Sequence, residues 1–133
     1  MGEGGRMKQG LLIALALLLG ACNTTPSELE DLDKVLRAYE HSMRWSRLEL
    51  AVQYYKEPPE LSERQKKRLR DIKITGYKIL TVNASTTEAV QVVELRYYNT
   101  NNHVVREITD NQVWEYNKEA ERWALTSAFP EFR

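Results

Sequence analysis

Apolar residues recur along this chain in two rhythms. From Pro26 onward, Leu29, Leu32, Leu36, Tyr39 and Met43 return at steps of three and four, the spacing of one face of an α-helix. Thr25-Pro26-Ser27-Glu28 precedes them as an N-cap, a proline at the first helical position and a capping-box glutamate. Ser46-Arg47-Leu48-Glu49 reads as a second capping box, opening a helix toward Tyr55 that Pro58-Pro59 closes off. Ser62-Glu63-Arg64-Gln65 opens a third, short helix ending near Leu69. Beyond Ile72 the period changes. Ile72, Ile74, the stretch Tyr77 to Val82 and the stretch Ala89 to Tyr98 are rich in β-branched and aromatic residues, the composition of strands. Asn99-Thr100-Asn101-Asn102-His103 and Lys118 to Glu121 are turn clusters between further strands at Val104, Val113 to Tyr116 and Trp123 to Thr126. Helices first and a four-stranded meander after predict an α+β fold, N-terminal helices packed on one strongly curved antiparallel sheet. In the Ala89 to Tyr98 strand the more apolar face (Ala89, Gln91, Val93, Leu95, Tyr97) is expected inward.

One apolar run fits neither rhythm. Leu11 to Leu19 is unbroken, follows Arg6 and Lys8, and is succeeded by Gly20, Ala21 and Cys22. That order describes a secretory signal peptide. Nine residues fall short of the roughly 20 needed for a membrane-spanning helix. Leu19-Gly20-Ala21-Cys22 resembles the lipobox of bacterial lipoproteins. The resemblance implies cleavage between Ala21 and Cys22, and diacylglycerol and acyl chains on Cys22. Residues 1–21 are then the signal, 22–25 the lipidated cysteine with a very short linker, and 26–133 a single domain within roughly 10 Å of its anchor. Asn23 stands where Asp resembles an inner-membrane retention signal. The expected place is therefore the periplasmic face of the outer membrane, or the outer face of the cell membrane in a Gram-positive source. Met7 begins a more typical signal than Met1, so either could be the start.

Composition narrows the function. Nineteen basic residues balance 19 acidic ones, which argues against nucleic acid as a partner. Removing 21 residues from 133 leaves 112, with 17 basic against 18 acidic, enough for one core and no second domain. The single cysteine excludes an internal disulfide and any multi-cysteine metal site. No cofactor is implied.

The pattern resembles the nuclear-transport-factor-two-like superfamily, a cone of curved sheet wrapped on a long helix, with a cystatin-like fold the nearest rival. The residues that carry the resemblance are Ala38-Tyr39, the break at Trp45-Ser46, the strand Ile72 to Val82, Trp114-x-Tyr116, Arg122-Trp123-Ala124-Leu125 and Phe129-Pro130. That superfamily holds isomerases, dehydratases and cyclases as well as binding and assembly modules, so fold alone does not choose. Its enzymes imply a base and an oriented donor inside the cone, and dimers paired through the sheet.

No such pair stands out. Gln91 and the Tyr97 hydroxyl are the polar groups on the inward face, and neither is a base at neutral pH. Asp110, Glu94 and Glu115 would matter if buried beside Tyr97. His41 falls off the apolar helix face and His103 lies in a turn without a second ligand, so no metal site is expected. Gly-x-Ser-x-Gly and glycine-rich phosphate loops are absent. Tyr39, Gln91, Tyr97, Trp114 and Trp123 form a candidate pocket for an apolar ligand, or simply pack the core. From Leu61 to Lys78 there are seven basic residues against two acidic, and from Glu107 to Glu131 six acidic against two basic. Arg64, Lys66, Lys67, Arg68 and Arg70 are accordingly a solvated face, a contact for anionic lipid or an acidic partner, or one pole of a self-associating chain. The expected function is a lipid-anchored binding or assembly module, possible homodimer included. The alternative is a small-molecule isomerase, dehydratase or cyclase with its site in the cone.

Overall fold

Residues Glu28–Arg44 form α1, held at its start by Ser27, whose Oγ accepts from the Glu30 amide at 3.3 Å. Acidic Glu28, Glu30 and Asp31 in the first turn and His41 and Arg44 in the last complement the helix dipole. The computed structural model describes residues 27–133. The signal at 1–21, Cys22 with its linker, and the expected Thr25 cap and Pro26 start lie outside the described residues. The observed cap is Ser27, because its extended backbone frees the hydroxyl for the third amide on. Leu32, Tyr39 and Met43 are buried, as the spacing requires. Leu29 is not: at this end the helix rests on a short strand, through Trp123 Nε1 donating to the Glu28 carbonyl at 2.8 Å.

The turn after α1 departs from expectation. Ser46 does not cap a helix; it takes a left-handed backbone, φ 56°, and its Oγ accepts from the Ile74 amide at 2.9 Å. The hydroxyl is spent fastening the α1 end to the sheet, so α2 is only Leu48–Ala51, followed by a 3-10 turn, Val52–Tyr54. Tyr55 then runs extended beside Leu125, ending the helical stretch before Pro58 is reached. α3, Glu63–Arg70, starts where expected and closes a reciprocal capping box, with Gln65 N on Ser62 Oγ at 3.2 Å and Ser62 N on Gln65 Oε1 at 2.8 Å.

Four strands follow in meander order: β1 Ile72–Ala84, β2 Glu88–Asn99, β3 Val105–Asn117 and β4 Arg122–Leu125, all antiparallel neighbours. Among the described residues the architecture is α+β, three α-helices packed on a four-stranded antiparallel sheet. The sheet is not strongly curled. β1 shifts register against β2 at Ile74/Gly76 and Ile79/Thr81, irregularities that add local twist. β1 is an edge strand, and beyond Lys78 its Ile79, Leu80 and Val82 side chains are exposed. On β2 the predicted inward residues Ala89, Gln91, Val93, Leu95 and Tyr97 are all buried. Among the described residues, no helix is long and apolar enough to cross a membrane.

The core lies between α1 and the inner sheet face. Trp114 is its largest fully buried side chain, and Tyr39 meets it edge to face with ring centres 5.5 Å apart. The chain after β4 folds back so that Phe129 meets Tyr55 and Phe132 meets Tyr97. Trp45, by contrast, is 68% exposed. Trp114→Ala is therefore expected to lower the unfolding free energy by about 3–5 kcal/mol, while Trp45→Ala stays within about 0.5 kcal/mol of wild type. Urea denaturation of both variants measures the contrast.

Candidate functional site

Polar groups gather in the middle of this core. Period two along β3 sets Asp110, Gln112 and Trp114 on one face, and the hairpin register brings them opposite Val93, Gln91 and Ala89 of β2. Tyr77 reaches them from β1, whose partner at that point is Leu95. Gln112, fully buried, is the hub. Its Nε2 donates to Asp110 Oδ2 at 2.9 Å and to the Tyr77 hydroxyl at 3.1 Å. Its Oε1 accepts from Trp114 Nε1 at 3.1 Å and from Gln91 Nε2 at 3.2 Å. Gln91 Nε2 also donates to Tyr77 at 3.3 Å.

Two further hydroxyls stand close by. Those of Tyr39 and Tyr55 are buried and find no hydrogen-bond partner among the described residues, although the two phenols are near enough to perturb each other. Asp110 is 4% exposed. Burial pushes its carboxyl up to about 6, against which the single bond from Gln112 pulls down. The same desolvation pushes Tyr77 up to about 12 and raises Tyr39 and Tyr55 further, with the Asp110 charge adding to each. The cluster is a protonatable carboxyl among neutral phenols. It can hold a proton near neutrality or orient a polar group brought to it.

The candidate pocket residues divide. Tyr39, Gln91 and Trp114 meet in this cluster. Tyr97 lies elsewhere in the core, its ring against Phe132 and its hydroxyl accepting from the Arg133 amide at 3.0 Å. Trp123 packs on Tyr116 and fastens α1. Gln112 and Tyr77 were not among the expected site residues; Asp110 was expected to matter if buried beside Tyr97, and it is buried beside Tyr39, Tyr55 and Tyr77 instead. The signal on β3 was alternation: counting back by two from Trp114 gives Gln112 and Asp110. Glu94 is half-buried and Glu115 exposed. Among the described residues, no group of three or more His, Cys, Asp and Glu is placed to hold a metal ion.

The surface offers a second feature. α3 carries all five expected cations, Arg64, Lys66, Lys67, Arg68 and Arg70. Lys66 pairs with Glu63 at 3.2 Å and Arg70 with Glu49 at 3.1 Å. Arg64, Lys67 and Arg68 form no ion pair among the described residues. Arg68 overlooks an open groove of about 480 Å³ whose floor includes Leu69, Ile72, Phe129 and Phe132. That groove does not reach the Asp110 cluster. No protein-family model, no curated protein and no solved structure matches this chain.

The raised carboxyl predicts a pH dependence. Asp110 goes from about 3.8 unfolded to about 6 folded, so its unfolded form releases the proton first as pH rises. Stability linked to it is full below pH 4 and is lost through pH 6, by about 3 kcal/mol at pH 7. Asp110→Asn is expected to match wild type at pH 4 and exceed it at pH 7. Urea midpoints of both proteins across that range check the sign.

Proposed function

We propose that this protein is a lipid-anchored, membrane-proximal periplasmic module that binds a partner protein or an apolar ligand, without catalysis of its own. The observation that carries the reading is the spacing of Leu19-Gly20-Ala21-Cys22 from the folded domain. Only the four residues Asn23 to Pro26 separate Cys22 from the Ser27 cap of α1. At about 3.5 Å per residue the domain stays within roughly 20 Å of the bilayer, too close to reach across a periplasm. Several acyl chains, each contributing about 0.8 kcal/mol per buried CH₂, make such an anchor stable. The outer membrane, periplasmic face, is the location that Asn23 supports. The nuclear-transport-factor-two-like assignment belongs to the same reading. Helix α1 over the inner face of a meander sheet supports it. The exposed edge of β1 at Ile79, Leu80 and Val82 is the surface this reading offers to a second copy.

One observation favours the alternative. A buried carboxyl raised to about 6 beside three phenols is the kind of acid/base group an isomerase or dehydratase inside a cone needs. Its neighbours are Tyr39, Tyr55 and Tyr77, not Tyr97. Native mass spectrometry of the protein purified from periplasm without denaturation separates the two. A co-purifying small-molecule mass lost in Asp110→Asn favours a ligand site at the buried carboxyl, as the enzyme needs, and an empty protein favours a module that binds a partner protein.

Lipidation has its own test. Labelled palmitate is expected to enter the wild-type chain and not Cys22→Ser; equal labelling of both sinks the anchor.

A further inference from the structure

Trp45 is the least covered large apolar side chain among the described residues, 68% exposed at the turn between α1 and α2. Its one aromatic neighbour is His41, ring centres 5.9 Å apart. Leu50, five residues on, is 45% exposed. It shares a shallow depression with Arg47, Leu69 and Arg70, which joins this turn to α3. On α3 the Leu69 side faces inward, half-buried, so helical geometry turns Arg64 and Lys67 outward, with Arg68 on one flank and Arg70 on the other. The result is a cationic face of α3 next to a turn that exposes an indole and a leucine. From Arg44 to Arg70 there are eight basic residues against four acidic. Two of those acids, Glu49 and Glu63, are already paired, leaving Glu57 and Glu60 in the preceding loop.

We propose that this end of the domain is a second membrane contact, in which Trp45 and Leu50 enter the interface of an anionic phospholipid bilayer while Arg64, Lys67 and Arg68 meet its phosphates. An indole has an apolar body and one N–H, and it favours the boundary between acyl chains and headgroups. Unpaired cations beside it supply attraction to anionic lipid over the Debye length. The inference rests on the anchored reading for its geometry. Seventeen residues of α1, about 25 Å, separate the end that follows Cys22 from the end that bears Trp45. Contact at both ends lays α1 along the bilayer.

The test uses the full chain reconstituted in two kinds of vesicle, phosphatidylcholine alone and phosphatidylcholine mixed with phosphatidylglycerol, each with brominated acyl chains. Trp114 and Trp123 are buried, and the difference between wild type and Trp45→Phe isolates the Trp45 emission. Expected is a blue shift and bromine quenching of Trp45 on the anionic vesicles only. Both should vanish in the Arg64→Gln, Lys67→Gln, Arg68→Gln triple variant and fade with added salt. Trp45 emission that is the same on both vesicle types overturns the proposal, and leaves the cationic face to an acidic protein surface. Quenching that survives in the triple variant overturns it as well. Palmitate uptake at Cys22 is scored separately, so loss of the anchor and loss of the contact are distinguishable.

Discussion

The side chain of Gln112 uses its whole hydrogen-bonding capacity inside the core. Its two N–H groups and two carbonyl lone pairs engage Asp110, Tyr77, Trp114 and Gln91. These partners come from β1, β2 and β3, so one amide ties three strands in a single register. A slip of one residue between any two would turn Gln112 or Gln91 outward and leave buried polar atoms unpaired, each costing about 1–3 kcal/mol. The apolar packing around the hub is less particular. Leucines and valines accept several arrangements, whereas a saturated amide accepts one.

That constraint also explains where the helices sit. Trp114 gives its N–H to Gln112 and presents its ring to Tyr39, so the polar hub positions the aromatic contact that seats α1. Two further fastenings hold the ends of that helix. Trp123 binds its first carbonyl, and Arg44 donates to the Tyr77 carbonyl at 2.9 Å beside the Ser46 link to Ile74. The helix is thus fixed over the same groups whose ionisation depends on being covered. Asp110 keeps its raised carboxyl because the packed core around it excludes water.

Much of the fold was legible because it follows from periodicity and turn chemistry. The α3 capping box, the Asn99 to His103 turn and the inward face of β2 are local signals, and each folds as its residues dictate. The Ser46 turn was not legible. Ser-x-x-Glu is equally good as a capping box, and only the position of Ile74, 28 residues away, draws the hydroxyl elsewhere. The site shows the same division. Gln91 and Trp114 carried visible signals as polar or bulky residues on an apolar face. Tyr77 did not, because the register shift after Ile74 obscures which face of β1 it occupies. The Asp110 shift comes from burial in the assembled core, a long-range event that strand composition does not encode.

The link from Trp123 to Glu28 joins residues 95 positions apart. A chain that emerges amino end first, from a ribosome or through an export channel, makes α1 long before it makes β3 or β4. That helix can meet Tyr54 and β1 early, but its contacts with Trp114 and Trp123 wait for β3 and β4, and 17 residues alone gain little helical stability in water. The β hairpins, whose partners are near in sequence, can close first and offer α1 its seat afterwards. The first described element is therefore secured in full only when the last strand is in place.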